Sequence, residues 1–160
     1  MNLAKTSQGS LNGEIEVARG SLVVAEEGTW TLSAGSTLSV TDGALTIESG
    51  ATLDTTRGTL KNAKASTAAK GIVLAENAVL SLDVESVFDR TKETPTLNAD
   101  GIAGSLYNDG TVTIYNASSD TMPFITVENT ISLSDLKTAR GLLMTGSGSI
   151  GRSGPTTEMT

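Results

Sequence analysis

Glycines recur at a nearly fixed interval over a long stretch near the N-terminus. They fall every seven or eight residues, at Gly13, Gly20, Gly28, Gly35, Gly43, Gly50 and Gly58. Most of the intervals between them carry two apolar residues separated by one position, as in Leu45 and Ile47. Alternation with a period of two is typical of a short strand with one buried face, and glycine permits a tight corner. A strand and a corner repeated at this interval predict a chain that coils into a solenoid.

The number of strands in each coil follows from stacking and side-chain size. Two strands per coil would stack residue i on i+15, and three strands would stack it on i+22 or i+23; both rules give apolar pairs. The second rule pairs Trp30 with Leu53. It also pairs Val23 with Leu45, so Val23 is expected to face inward. Large side chains favour the wider interior of three strands. We predict an all-β fold, a right-handed parallel β-helix (β-solenoid) of three short sheets with about 22 residues per coil.

The regularity of the repeat changes along the chain. The expected organisation is an irregular lead-in or N-terminal cap at 1–12, a parallel β-helix at 13–133 with excursions near 61–70 and 89–101, and a short capping turn with a flexible tail at 134–160. The excursion at 61–70 contains no inward pair of apolar residues. In the next repeat Asn77 takes the corner position that glycine holds elsewhere, because asparagine tolerates the left-handed conformation.

Composition excludes several classes of function. The chain has 11 basic and 18 acidic residues, a net charge of −7, so binding to nucleic acid or to an anionic membrane surface is disfavoured. It has no cysteine and no histidine, which removes disulfides, thiolate nucleophiles, the usual zinc ligands and the commonest general base. No cofactor and no metal ion is expected. The first ten residues lack the apolar core of a signal peptide, which fits a cytosolic protein or a secreted one without its leader.

Two segments resemble a known family. GSTLSVTDGALTIESGATLDTT at 35–56 and GSLYNDGTVTIYN at 104–116 are similar to repeats of autotransporter passenger domains, the pertactin-like β-helices of Gram-negative bacteria. The resemblance covers roughly 13–133. It implies a secreted rod or adhesin associated with virulence, displayed at the cell surface through a C-terminal barrel outside this sequence. It also implies host surface glycans or proteins as partners, or self-association through the ends or faces of the rod. A non-enzymatic role is expected because the chain has no histidine, no cysteine and no convincing catalytic motif.

The acidic residues support a second hypothesis. A carbohydrate-active β-helix enzyme, a polysaccharide lyase or hydrolase, would use clustered carboxylates, for which Asp83, Glu85 and Asp89 are the candidates. Glu26 is expected to stack near Glu48, but these positions are scattered and favour a solvated outer face. No catalytic residue is assigned. A third hypothesis is a self-assembling solenoid rod.

Threonines at outward strand positions resemble the ladders of ice-binding solenoids. They are Thr29, Thr31, Thr37, Thr41, Thr46, Thr52 and Thr56. Since β-branched threonine suits any exposed strand position, and since Glu14, Glu16 and Glu48 are expected to interrupt a flat array, a structural role is favoured.

A ligand surface is indicated weakly by two features. Tyr107 and Tyr115 lie on either side of a corner at 108–110 and are expected to share an exposed face. The loop at 89–101 is the internal stretch with the strongest loop composition, and binding residues often lie on such loops. The candidate surface comprises Tyr107, Tyr115, Asp89, Arg90, Lys92 and Glu93.

Overall fold

Three complete coils of short strands open the fold. A computed structural model of the chain describes residues 1–63, 66, 69–83, 86, 88–89, 96–97, 106–115, 130–132, 144–145 and 149–153. The first coil consists of β1 (Asn2–Leu3), β2 (Gln8–Leu11) and β3 (Glu14–Val17). The second consists of β4 (Ser21–Val24), β5 (Thr29–Leu32) and β6 (Thr37–Val40), and the third of β7 (Ala44–Ile47), β8 (Thr52–Asp54) and β9 (Thr59–Asn62).

Further strands follow the third coil, and most of them extend two walls of the solenoid. They are β10 (Gly71–Leu74), β11 (Val79–Asp83), β12 (Phe88–Asp89), β13 (Thr96–Leu97), β14 (Leu106–Asn108), β15 (Thr111–Tyr115), β16 (Thr130–Ser132), β17 (Met144–Thr145) and β18 (Ser149–Ser153). Within the described segments no helix is long and apolar enough to cross a membrane.

The described strands form three walls. One is a six-stranded parallel sheet in the order β1-β4-β7-β10-β14-β17, and another is a seven-stranded sheet in the order β2-β5-β8-β11-β15-β18-β16. The third is the three-stranded parallel sheet β3-β6-β9, while β12 and β13 form a separate antiparallel pair. The predicted parallel β-helix with three sheets is therefore confirmed, and its spacing is close to the predicted value, since Ser21 pairs with Ala44 and Thr37 with Thr59.

Columns of aliphatic side chains fill the interior. Leu45 lies between Leu22 and Ile72 in adjacent strands, and each of these three side chains is at most 2% exposed. Leu53 and Leu80 form a fully buried pair in the same way on the seven-stranded sheet. Because each inward side chain contacts the coils above and below, the stability of the fold is a sum of contacts between neighbouring coils.

The inward assignment of Val23 is wrong. Val23 pairs with Thr46 and lies half-buried on the outer side of its sheet, whereas its neighbours Leu22 and Val24 are buried. The coil that joins β4 to β7 is one residue longer than the predicted 22. Since side chains alternate between faces, a register error of one residue exchanges inside for outside. The predicted pairing of Trp30 with Leu53, on the next wall, is confirmed.

Both ends of the chain depart from the predicted organisation. Instead of an irregular lead-in, β1 and β2 pair parallel with β4 and β5 and complete the first coil. At the other end the prediction of a flexible tail is wrong at Ser149–Ser153, which pairs parallel with β15. Thr130–Ser132 runs antiparallel to that strand and so departs from the parallel arrangement predicted up to residue 133.

The excursion predicted at 61–70 begins later than expected. Lys61 and Asn62 belong to β9, and the side chain of Asn62 is fully buried. Asn62 donates a hydrogen bond to the hydroxyl of Ser66, which accepts another from the backbone N–H of Ile72. Buried side chains of Asn62 and Ser66 thus connect the third coil to β10. Most of the excursion predicted at 89–101 lies outside the described residues.

The corner between the six-stranded and seven-stranded sheets repeats one turn. Gly28, Ala51 and Ala78 each donate a backbone hydrogen bond to the carbonyl three residues earlier, at 2.9, 3.0 and 3.1 Å. The third residue of each turn has a positive φ, of 58° at Glu27, 69° at Gly50 and 62° at Asn77. The corner role predicted for Asn77 is confirmed. Thr6, with a φ of 54°, takes the same place in the first coil, and neither it nor Glu27 was anticipated.

Candidate functional site

The two tyrosines of the predicted ligand surface lie on different walls. Tyr107 is half-buried in β14 of the six-stranded sheet, and Tyr115 ends β15 of the seven-stranded sheet. Residues 109–110 carry the chain from one wall to the next. The prediction that these tyrosines share a face is therefore wrong.

The charged residues of that surface are described only in part. Asp89 lies in β12, where it pairs with Thr96 of β13. Arg90, Lys92 and Glu93 lie outside the described residues, as does Glu85 of the candidate carboxylate cluster. The ligand role of this loop remains a prediction.

Acidic side chains line the corner between the six-stranded and seven-stranded sheets. We call this the acidic corner, and it comprises Glu26, Glu27, Glu48 and Glu76. The ammonium group of Lys5 forms a salt bridge with Glu26 Oε2. Glu26 also donates its backbone N–H to Glu48 Oε2 at 3.1 Å, so the predicted proximity of Glu26 and Glu48 is confirmed.

The contact of Lys5 with Glu26 alters the titration of both groups. The hydrogen bond from Lys5, and then its positive charge, lower the pKa of Glu26. The same hydrogen bond, and then the charge of Glu26, raise the pKa of Lys5. Both side chains are more than half exposed, so water and salt weaken the attraction and its contribution to stability is small.

A shallow groove runs across the outer face of the three-stranded sheet. Its volume is about 400 Å³, and it is lined by Glu14, Ile15, Glu16, Thr37, Ser39, Thr41 and Lys61. Thr41 Oγ1 donates a hydrogen bond to Glu16 Oε1 at 3.0 Å. Glu16 pairs in register with Ser39. The groove holds both signs of charge and opens to solvent.

A further carboxylate is held by hydrogen bonds within its own loop. Asp54 accepts two hydrogen bonds from Thr56, one from its backbone N–H at 2.9 Å and one from its hydroxyl at 2.7 Å. This is a local turn that the carboxylate stabilises by accepting a backbone hydrogen bond. In the part of the chain that the structure describes, no three histidine, cysteine, aspartate or glutamate side chains lie together where they could hold a metal ion.

Mostly polar side chains form two columns on the outer face of the seven-stranded sheet, and seven of the ten carry a hydroxyl group. We call this the hydroxyl face, and over the five strands β2, β5, β8, β11 and β15 it comprises Gln8, Thr29, Thr52, Val79 and Thr111 in one column and Ser10, Thr31, Asp54, Ser81 and Thr113 in the other. All ten side chains are exposed or half-buried. The first strand lies roughly 19 Å from the fifth at the usual spacing between strands.

The hydroxyl face was only partly visible in the sequence. The outward threonines predicted as one array are divided among the walls, since Thr46 lies on the six-stranded sheet and Thr37 on the three-stranded sheet. The glutamates expected to interrupt the array also lie elsewhere, Glu14 and Glu16 on β3 and Glu48 at the acidic corner. The signal that identifies the face is the exact strand register, which stacks Thr29 on Thr52.

Comparison of the chain with protein-family models, curated proteins and solved structures found no match.

Proposed function

We propose that the chain is a non-enzymatic structural and adhesive segment of a secreted rod, displayed on a bacterial surface in the manner of autotransporter passengers. The observation that carries this proposal is the hydroxyl face. It supplies seven hydroxyl side chains within two columns of ten residues, on a sheet whose inward residues, such as Leu53 and Leu80, are fully buried. A rigid and repetitive surface of this kind suits a partner that is itself repetitive.

The adhesive mechanism rests on repetition. Successive strands lie about 4.8 Å apart, so an extended partner meets one or two hydroxyl groups at each step along the rod. Each contact is weak, because a hydroxyl exchanges a hydrogen bond to water for one to the partner. Several such contacts on one rigid face reinforce each other, since the first contact raises the effective concentration of the rest.

Charge defines the class of partner. Asp54 lies within the hydroxyl face, where its interaction with Thr56 holds it in a local turn, and Asp83 ends β11 on the same outer side of the sheet. The acidic corner borders the face along one edge, and the whole chain carries a net charge of −7. Like charges repel an approaching polyanion. Neutral glycans and protein surfaces are therefore the favoured partners, and sulfated or sialylated glycans are disfavoured.

The positions of two described glutamates favour adhesion over catalysis. Glu26 is paired with Lys5 at a corner, and Glu16 accepts a hydrogen bond from Thr41 on the three-stranded sheet. A glycoside hydrolase instead needs two carboxylates facing each other across one substrate bond. Polysaccharide cleavage, assayed with and without calcium, tests the enzymatic alternative. Turnover that is lost in Asp83→Asn or Asp89→Asn would overturn the proposal.

A binding experiment tests the role of the hydroxyl face. The chain is coupled to beads, which restores multivalent contact, and applied to arrays of neutral glycans, anionic glycans and matrix proteins. Thr31→Lys combined with Thr113→Lys should abolish retention, because long charged side chains prevent close approach. The matched control Thr46→Lys changes the same residue type on the outer side of the six-stranded sheet and should leave retention intact. The adhesive role would be contradicted if the double lysine variant and Thr46→Lys reduced retention of the beads on the arrays equally. It would also be contradicted if the beads coated with the parent chain were retained on none of the arrays.

Export is tested separately. The chain is placed between an export leader and the outer-membrane barrel of an autotransporter in a Gram-negative host. Accessibility to an antibody and to external protease at the surface of intact cells is the expected result. Retention of the folded chain inside the cell would contradict the proposed display.

A further inference from the structure

The corner between β2 and β3 contains the only Asn-Gly pair in the sequence, Asn12 followed by Gly13. The side chain of Asn12 is exposed, and Gly13 has a φ of 81°. We infer that this pair is a site of spontaneous deamidation, and that the hydroxyl of Ser36 in the next coil limits the rate of the reaction. The inference does not depend on the adhesive role proposed above.

The chemistry requires only the chain and water. The backbone nitrogen of Gly13 loses its proton to a solvent base and attacks the side-chain carbonyl carbon, Cγ, of Asn12. A new bond between that nitrogen and Cγ forms, the bond from Cγ to Nδ2 breaks, and ammonia leaves with a proton taken from water. The resulting cyclic imide is opened by water at either carbonyl, which gives aspartate or isoaspartate at position 12.

Two features of the corner favour closure of the imide ring. A Cβ built on Gly13 would meet no atom within 4 Å, so the space beside the Cα of Gly13 is open to solvent. The side-chain amide of Asn12 donates to the carbonyl of Ser10 at 3.4 Å, a long and weak hydrogen bond. The corner is therefore accessible to a solvent base, and the amide of Asn12 is held only weakly.

One feature opposes the reaction in the folded chain. The N–H of Gly13 donates a hydrogen bond to Ser36 Oγ at 2.9 Å, and Ser36 is only 5% exposed. The carbonyl of Gly13 is held as well, because it accepts a hydrogen bond from the backbone N–H of Thr37 at 3.0 Å. The nitrogen becomes free to lose its proton only when the corner opens. Among the described strands the first coil has one neighbouring coil rather than two, and such an end unit opens most readily.

The product would loosen the first coil. Either product adds a negative charge beside Glu14 and Glu16 on the exposed side of β3. Isoaspartate also lengthens the backbone by one methylene, which displaces Gly13 from its hydrogen-bond partners Ser36 and Thr37. Formation of isoaspartate thus removes two of the contacts that join the first coil to the second.

Peptide mapping by mass spectrometry tests the inference. The folded chain is incubated at mildly alkaline pH in water enriched in oxygen-18, which labels each deamidated position. We expect label at Asn12, as both aspartate and isoaspartate, and none over the same interval at Asn77, which is exposed but is followed by alanine. Ser36→Ala should raise the rate at Asn12 roughly three- to tenfold, the factor that loss of one hydrogen bond brings to the opening of the corner.

Two controls separate a local effect from global destabilisation. Ile72→Val lowers the stability of the fold by a small cavity in the fourth coil and should leave the rate at Asn12 within about twofold of the parent. Asn12→Gln should abolish labelling of that peptide. Labelling of Asn12 no faster than of Asn77 would overturn the inference. Equal acceleration by Ser36→Ala and Ile72→Val, or none by Ser36→Ala, would overturn the role of Ser36.

Discussion

The indole ring of Trp30 occupies the space that a side chain at position 9 would need. Gly9 and Trp30 are partners in adjacent strands of the seven-stranded sheet. A Cβ built on Gly9 would lie 2.4 Å from Cζ3 and 2.7 Å from Cη2 of Trp30. The missing side chain in the first coil thus provides room for the largest side chain of the second. Through this contact one aromatic residue fills part of the interior of two coils.

Gly9→Ala should therefore destabilise the fold by about 1–3 kcal/mol, the usual cost of overpacking a filled interior. Urea unfolding followed by the fluorescence of Trp30, the single tryptophan, measures the change. Ser10→Ala, at the adjacent outward position, should alter the free energy of unfolding by less than about 0.5 kcal/mol. Adding Trp30→Leu should recover part of the loss caused by Gly9→Ala, with the double variant followed by circular dichroism. Similar stability for Gly9→Ala and the parent would show that the ring is not fixed there.

Substitutions at two adjacent residues test which side chains of the six-stranded sheet point inward. Leu45 is fully buried between Leu22 and Ile72, so Leu45→Ala should cost about 2–5 kcal/mol through lost burial and the cavity that remains. Thr46 is half-buried on the outer side, and Thr46→Ala should cost well under about 1 kcal/mol. Chemical denaturation of both variants gives the comparison. Equal losses would mean that the two residues do not face opposite sides.

The fold was predictable because its strongest signals are local and repeated. Apolar pairs such as Leu45 and Ile47, punctuated by glycine, required strands and corners whatever the wider structure. Whether Val23 points inward or outward was not predictable in this way. Residues 22–24 are all apolar, so they fit a register of 22 or of 23 residues equally well, and the length of a coil varies by one or more residues. Ser149–Ser153 was missed because its serines and glycines resemble a linker, and only pairing with β15 makes it a strand.

The surfaces were less predictable than the fold. Glu26 and Glu48 were placed correctly because a spacing of 22 residues brings them to one corner. The hydroxyl face depends on exact registers over five strands, including the wide spacing from Val79 to Thr111, which no local pattern indicates. Tyr107 and Tyr115 were assigned to one face because the change of wall at 109–110 is not encoded in their spacing of eight residues.

Strain at the repeated corner gives a third prediction. Thr6 has a φ of 54°, which costs a residue with a side chain about 1–2 kcal/mol, and most for a β-branched one. Thr6→Gly relieves this strain but adds about 0.5–1 kcal/mol of chain entropy, so a net gain of up to about 1 kcal/mol is expected. Thermal and urea unfolding measure it. Asn77→Gly should gain less, since asparagine already tolerates a φ of 62°. A loss of stability in Thr6→Gly would contradict the assignment of strain.

The exposed pair Lys5 and Glu26 gives a fourth prediction, which concerns titration. The folded-state pKa of Glu26 is lowered, so any stability from the pair is present above the unfolded-state pKa of this carboxyl and is lost as the pH falls through the folded value. The pKa of Lys5 is raised, so the same contribution is lost again as the pH rises through the folded-state pKa of the ammonium group. Carboxyl-carbon NMR should show that Lys5→Met raises the pKa of Glu26, while Lys61→Met, on the three-stranded sheet, leaves it unchanged. Added salt should reduce the difference in the pKa of Glu26 between Lys5→Met and the parent, because salt screens exposed charges. An unchanged pKa of Glu26 in Lys5→Met would mean that the two side chains do not interact in solution.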